Sequence, residues 1–154
     1  GTAYACGYNA MGQLGLGHDI NQSEFVKIPG GTDMTAIACA QLQTVCLNSI
    51  GEVFMAGQVF ASAAEQDFYS SLTLMYGLEN IFKLSGALSH FLCVDMEGNL
   101  YTFGQSGSGK TGHGTNPAFS NEGRQVAIAG PISIISHGGH HSMVKNQDNE
   151  IWVF

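Results

Sequence analysis

An all-β fold of repeated antiparallel blades, a partial or oligomer-completed β-propeller, is what this sequence predicts, and three observations carry the reading. First, a short β-branched and aromatic strand ending on glycine recurs: Tyr4-Ala5-Cys6-Gly7, Val53-Phe54-Met55-Ala56-Gly57 and Leu100-Tyr101-Thr102-Phe103-Gly104, with Ile151-Trp152-Val153-Phe154 as a fourth copy without its glycine. Second, these glycines stand about fifty residues apart, and a period of ~40–50 residues holding several strands marks a propeller blade. Third, an upstream block repeats in register: residues 37–47, 84–94 and 135–145 align without a gap, so Cys46, Cys93 and Val144 share one position. The repeats run approximately over 7–56, 57–103 and 104–154, within a single propeller-type domain or fragment of one over 1–154.

Strands are expected near 3–6, 25–28, 34–38, 43–48, 52–56, 81–85, 90–95, 99–103, 125–129, 132–136, 141–145 and 150–154. Two-residue alternation is clearest in Leu100–Phe103 and Ile151–Phe154, as half-buried strands require. Pro29 closes one strand and Pro131 opens another, where a missing N–H is tolerated. Gly51, Gly98 and Asn149 share the place before the next strand, where a tight turn needs positive φ. After Gly7 the run Gly12, Gly15, Gly17 matches Gly109, Gly112, Gly114 after Gly104. The second repeat lacks that run. Its Ala63-Ala64-Glu65-Gln66-Asp67-Phe68-Tyr69 has helical composition, with Ser62 placed to cap and Glu65 three residues on, so a short helix is expected in that loop.

The segments Gly7-Tyr8-Asn9-Ala10-Met11-Gly12-Gln13-Leu14-Gly15-Leu16-Gly17 and Ile135-Ser136-His137-Gly138-Gly139-His140-His141-Ser142 resemble the repeat of the regulator of chromosome condensation family. Residues 98–114 match it with Lys110-Thr111 in place of Gln-Leu, and the likeness covers most of the chain apart from roughly 58–77. The resemblance implies a ring of four-stranded blades, with Gly7, Gly12, Gly15, Gly17, Gly57, Gly104, Gly109, Gly112, Gly114 and Gly138 as structural repeat positions. It also implies function: a protein-interaction scaffold foremost, with guanine-nucleotide exchange on a small Ran-like GTPase as the alternative. Phe60, Phe68, Tyr69, His137 and His140 are the candidate interaction residues.

Composition agrees with turns and close backbone contact. Glycine supplies 21 of 154 residues, about twice average usage, and charged residues are 11% against a usual ~25%. The net charge of −7, with Lys27, Lys83, Lys110, Arg124 and Lys145 scattered, disfavours nucleic-acid backbone as a partner. A basic protein is the better match for an acidic face. No apolar run is long enough for a membrane helix, and the first residues do not read as a signal peptide. Cys6, Cys46 and Cys93 fall at apolar strand positions and, with Cys39, lack zinc-ligand spacing. They read as buried free thiols of an intracellular protein, cytoplasmic or nuclear.

Two motifs tempt a catalytic or metal reading. Gly104-Gln105-Ser106-Gly107-Ser108-Gly109-Lys110-Thr111 fits the phosphate-binding G-x-x-x-x-G-K-[ST] pattern. However, the following Gly112-His113-Gly114-Thr115-Asn116-Pro117 cannot open the helix such a loop needs. The run also coincides with Gly7–Leu14, so it reads as a repeat loop with Lys110 dispensable for folding. No enzyme activity or cofactor is expected. His137, His140 and His141 offer the donors of a metal site, a further alternative, although His141 shares the register of His90, where the resemblance implies a bond to backbone across the turn. The acids Asp33, Glu52, Asp95, Glu97, Asp148 and Glu150 sit in turns, where solvation explains them. About three repeats cannot close a ring, so the chain is expected to be part of a longer propeller or to assemble with its own copies.

Overall fold

The computed structural model describes the backbone of residues 1–62, 65–114 and 119–154, and their side chains outside 60–67 and 119–121. The first sheet pairs β1 (Tyr4–Gly7) with β2 (Gln22–Lys27). The second runs β3 (Met34–Cys39), β4 (Gln43–Asn48), β5 (Val53–Ser62), β6 (Glu65–Leu74). The third runs β7 (Ile81–Gly86), β8 (His90–Asp95), β9 (Leu100–Gln105), β10 (Phe119–Val126), and the last runs β11 (Ile132–His137), β12 (Ser142–Asn146), β13 (Ile151–Val153). Every pairing is antiparallel between chain neighbours. β7 contacts both β3 and β11, so the sheets stand side by side like blades.

The core lies between sheets, and strand parity assigns residues to it. Successive side chains of a strand point to opposite faces. Thus Phe91 and Cys93 of β8 join Val45, Leu47, Val53 and Met55 in one apolar cluster, while Leu92 and Val94 join Leu100, Ile132 and Val144 in another. β8 is buried along its whole length because it is covered on both faces. Phe91 and Phe103 stack with ring centroids 5.1 Å apart. Cys46 and Cys93 are fully buried and Val144 nearly so, as their shared register predicts.

The glycine that ends each repeat strand is required by a close crossing. A Cβ on Gly57 would lie 2.2 Å from the Leu42 carbonyl oxygen, and one on Gly104 would lie 2.5 Å from that of Ser89. Each strand here passes over the turn that precedes its own neighbour, and Gln58 N–H and Gln105 N–H donate to those same carbonyls at 2.8 Å. Positive φ values of 102° and 98° complete the demand for glycine.

Two expectations are corrected. The expected helix of the second repeat is strand: β5 and β6 form a long hairpin, with Gly57 opposite Tyr69 and Gln58 opposite Phe68. Ala63 and Ala64, where helical composition was strongest, lie outside the described residues. Without a glycine run after Gly57, Gln58-Val59-Phe60 carries the strand on, and cross-strand pairing outweighs weak helical propensity. Secondly, Cys6 and Cys39 are exposed. Both line an apolar cleft of about 470 Å³ between the first two sheets, beside Phe25 and Ile37. No further strand covers that face among the described residues, so an apolar register position there is not a buried one.

Candidate functional site

Two Ser–His pairs join the last two sheets. His137 Nε2 lies 2.6 Å from Ser85 Oγ, and His90 Nε2 lies 2.9 Å from Ser142 Oγ. Each sheet therefore gives one serine and one histidine. The imidazoles meet edge-on with centroids 5.5 Å apart. Ser142 is completely buried and its hydroxyl also donates to the Lys110 carbonyl at 2.8 Å. Burial, the nearby His137 and then Lys110 push the His90 pKa down to about 4, and burial lowers that of His137. The equivalent positions one interface earlier are Ala38 with Gly86 and Gln43 with Phe91, where a Cβ on Gly86 would touch Phe91 and Ala38. The expected backbone bond for the repeat histidine is thus replaced by a side-chain bond to the next sheet.

The glycine-rich segments are straps laid on neighbouring sheets. Asn9, fully buried, accepts from Leu14 N–H at 2.9 Å and donates through Nδ2 to the His18 and Ile20 carbonyls. That clamp holds the loop so that Gly12, Gly15 and Gly17 lie against β6, where Gly17 N–H donates to the Ser70 carbonyl and Leu16 bridges to Ser71. In the other strap, Gly112 approaches Phe154. Lys110 is 2% exposed and its amine donates to Ser89 Oγ and Gln105 Oε1, each at 2.9 Å. Only a three-residue 3-10 turn, Gly107–Gly109, precedes it. The lysine that a phosphate loop would aim at its ligand is committed to the protein interior, and it is not the dispensable residue the sequence reading expects.

The opposite ends of the sheets form a belt. Each linker bonds to the turn of the sheet before or after it: Ser49 N–H to Asp33, Ile81 N–H to Gly51, Met96 N–H to Asn80, Ile132 N–H to Gly98 and Gln147 N–H to Pro131, all to carbonyls. Within each turn a side chain repeats one task. Asn48 Oδ1 accepts from Ile50 and Glu52 N–H, Asp95 Oδ1 from Glu97 and Asn99 N–H, and Asn146 Oδ1 from Glu150 N–H. Asp95 is therefore a buried turn clasp and not a solvated acid. Burial alone would raise its pKa, yet the bonds from Asn99 and Glu97 outweigh this and lower it.

Of the remaining belt carboxylates, Asp33, Glu79, Glu97, Asp148 and Glu150 belong to exposed residues, while Glu52 is half-buried and, like Glu150, accepts from the asparagine of its own turn. The linkers and turns at 28–33, 49–52, 75–80, 96–99, 127–131 and 147–150 contain Asp33, Glu52, Glu79, Glu97, Asp148 and Glu150 and no Lys, Arg or His. Burial, then the charge and hydrogen bond of Asp95, then Glu97 and Glu79 raise the Tyr101 pKa, so Asp95, Glu97 and Glu79 act on one place. Ile50, Tyr76 and Met96 project from the same belt, each more than 70% exposed. A cleft of about 390 Å³ lies among Ile50, Phe82 and Met96, and one of about 410 Å³ among Ile50, Glu52, Tyr76 and Glu79. The repeat turns were legible in the sequence, but their gathering on one side needed the topology.

The other candidates separate. His140 and His141 are exposed while His137 turns to Ser85, and no group of three potential ligands converges among the described residues. Phe68 is exposed on the long hairpin, Tyr69 packs against the main core, and the Phe60 side chain lies outside the described residues. Among the described residues no helix is long and apolar enough to cross a membrane.

The profile of the Regulator of chromosome condensation (RCC1) repeat matches residues 1–47. The zebrafish (Danio rerio) Protein RCC2 homolog is 28% identical over 134 residues, an alignment covering 82% of this chain and 27% of that protein. The chain thus spans about a quarter of the length of that relative. Human WBSCR16 superposes with a TM-score of 0.84 at 21% identity, covering 98% of this chain and 42% of its own. Prp20p of Saccharomyces cerevisiae, described with its binding to Gsp1p and histones, gives 0.78 at 15% identity, covering 93% and 39%. These matches and the four-stranded antiparallel sheets agree on the fold: the chain is a stretch of β-propeller, and its residues 1–47 match the regulator of chromosome condensation repeat.

Proposed function

We propose that the chain serves as a protein-interaction platform. The observation that carries this is the belt, where outward carboxylates and exposed apolar tips are held on a hydrogen-bonded frame that leaves both accessible. Rigid scaffolds that present turns in this way are suited to binding partners. Ser142 and His90 are sealed between sheets, and the Ser142 hydroxyl donates to the Lys110 carbonyl, which supports binding over covalent catalysis. Exchange on a small GTPase is the second reading, supported by likeness to Prp20p, which is described as binding Gsp1p. Affinity capture from lysate with quantitative mass spectrometry tests the platform: a partner enriched over an unrelated all-β control is expected, and none would end the reading. Release of a fluorescent guanine nucleotide from the captured GTPase, if one is found, separates exchange from simple docking.

A further inference from the structure

We infer that the belt docks a basic, amphipathic segment of a partner protein, with apolar side chains seated in the Ile50–Met96 cleft and cationic side chains set against Glu79 and Glu97. This deepens the platform reading and rests on it. Three observations converge. The cleft is apolar at its base, lined by Leu47, Ile81, Phe82 and Met96, and it has a mouth framed by turns. A water-exposed apolar patch beside polar rim groups is the usual form of a docking groove. The two clefts share Ile50, Gly51 and Asn80 as a common wall, so a segment several residues long can lie across both.

Charge selects the occupant. No Lys or Arg lines either cleft; Glu52 and Glu79 line the second, and Glu97 directly follows the Met96 that lines the first. Lys83, beside the cleft's Phe82 with its amine 5.2 Å from that ring centroid, donates to the Ser133 carbonyl. The field of Asp95, Glu97 and Glu79 already acts on the Tyr101 hydroxyl. An acidic partner would meet unrelieved repulsion, whereas Lys or Arg side chains neutralise the rim and steer approach. The opposite side of the sheets does not repeat this pattern: its loops carry His18, Lys110, His113, His140 and His141 with Asp19.

Fluorescence anisotropy tests the inference with a fluorescein-labelled amphipathic Lys/Leu peptide of about four helical turns and a Glu/Leu peptide of the same pattern. The Lys/Leu peptide is expected to bind saturably and to weaken as salt rises. The pair Glu79→Lys with Glu97→Lys should weaken it at least tenfold, and Ile50→Ser with Met96→Ser similarly, while Asp19→Lys changes it less than twofold. All these side chains are exposed or at turn surfaces, and unchanged thermal unfolding verifies the fold; should the apolar pair unfold, the charge pair carries the decision. Equal binding of the Glu/Leu peptide, insensitivity to both variant pairs, or absence of saturable binding would overturn the inference. A lysate partner retained by both variant pairs would leave the platform standing and place its contact elsewhere.

Discussion

Ser85 and His137 share a hydrogen bond of 2.6 Å across a boundary at which the preceding sheet pair brings together only Ala38 and Gly86. One interface of the same architecture is therefore polar and specified by matched partners, and its neighbour is apolar and specified by size. A matched pair has a signature that apolar packing lacks. In a double-mutant cycle, Ser85→Ala and His137→Phe should each destabilise by about 1 kcal/mol, and the double variant by less than their sum. Ser142→Ala should cost about 1–3 kcal/mol, because it leaves a buried His90 nitrogen unpaired. Chemical denaturation measures all four.

Stability should also depend on pH through this boundary. The folded chain holds His90 neutral down to about pH 4, while the unfolded chain protonates it near 6.5. His137 and His113 are lowered too, by burial first and, for His113, by the Arg124 charge next. Protonation therefore favours the unfolded chain: stability is full above about pH 6.5 and declines as pH falls toward 4. His90→Gln, the residue found at the equivalent Gln43, should flatten part of the decline in melting temperature between those values.

The strand-ending glycine gives a sharper contrast. Gly104→Ala places a methyl 2.5 Å from the Ser89 carbonyl at a φ of 98°. The conformational term alone costs about 1–2 kcal/mol, and the backbone must also yield. Gly107→Ala meets nothing within 4 Å and should be near neutral. Comparing the two melting temperatures checks the crossing.

Thiol chemistry reads burial directly. Cys6 and Cys39 should react promptly with a chromogenic disulfide reagent in the native protein, and Cys46 and Cys93 only after unfolding. Burial also pushes the Cys46 thiol up to about 11 and the Cys93 thiol higher still, which removes the reactive thiolate. Cys93→Val should cost under about 1.5 kcal/mol, and Cys93→Asp far more, since a charge would be left unpaired in the core.

Lys110 separates two roles that one motif confuses. Lys110→Gln, the residue at the equivalent Gln13, should fold nearly as well as the parent, whereas Lys110→Ala strips Ser89 and Gln105 of their buried partner and should cost about 1–3 kcal/mol. Calorimetric titration with ATP or GTP and Mg²⁺ should give no heat of binding for any of the three. Saturable, Mg²⁺-dependent heat abolished in the variants would restore the phosphate-loop reading.

Most strands were legible because hydrophobic parity, closing glycines and turn residues all spoke for the same period, as at Leu100–Gly104 and Gln43–Leu47. β6 was not legible: Glu65-Gln66-Asp67 carries no β-branched signal, and only its pairing with β5 makes it a strand. The interface histidine was hidden for another reason. His137 fills a position that is Gly86 one repeat earlier, so the repeat itself marks it as an extra without saying what it touches. Likewise the belt acids each looked like an ordinary turn residue until topology set them side by side.

The two ends of the sheets obey different length rules. Turns at 49–52, 96–99 and 147–150 keep one size, because each must reach the neighbouring linker to complete the belt. On the other side the chain leaves 8–21 between β1 and β2, two residues between β5 and β6, and 106–118 between β9 and β10, while the sheets keep the same antiparallel order. Variation in such a protein is thereby channelled to one side. A lineage can lengthen, shorten or rewrite that side and acquire new specificities there, while the other side preserves the spacing on which an older contact depends.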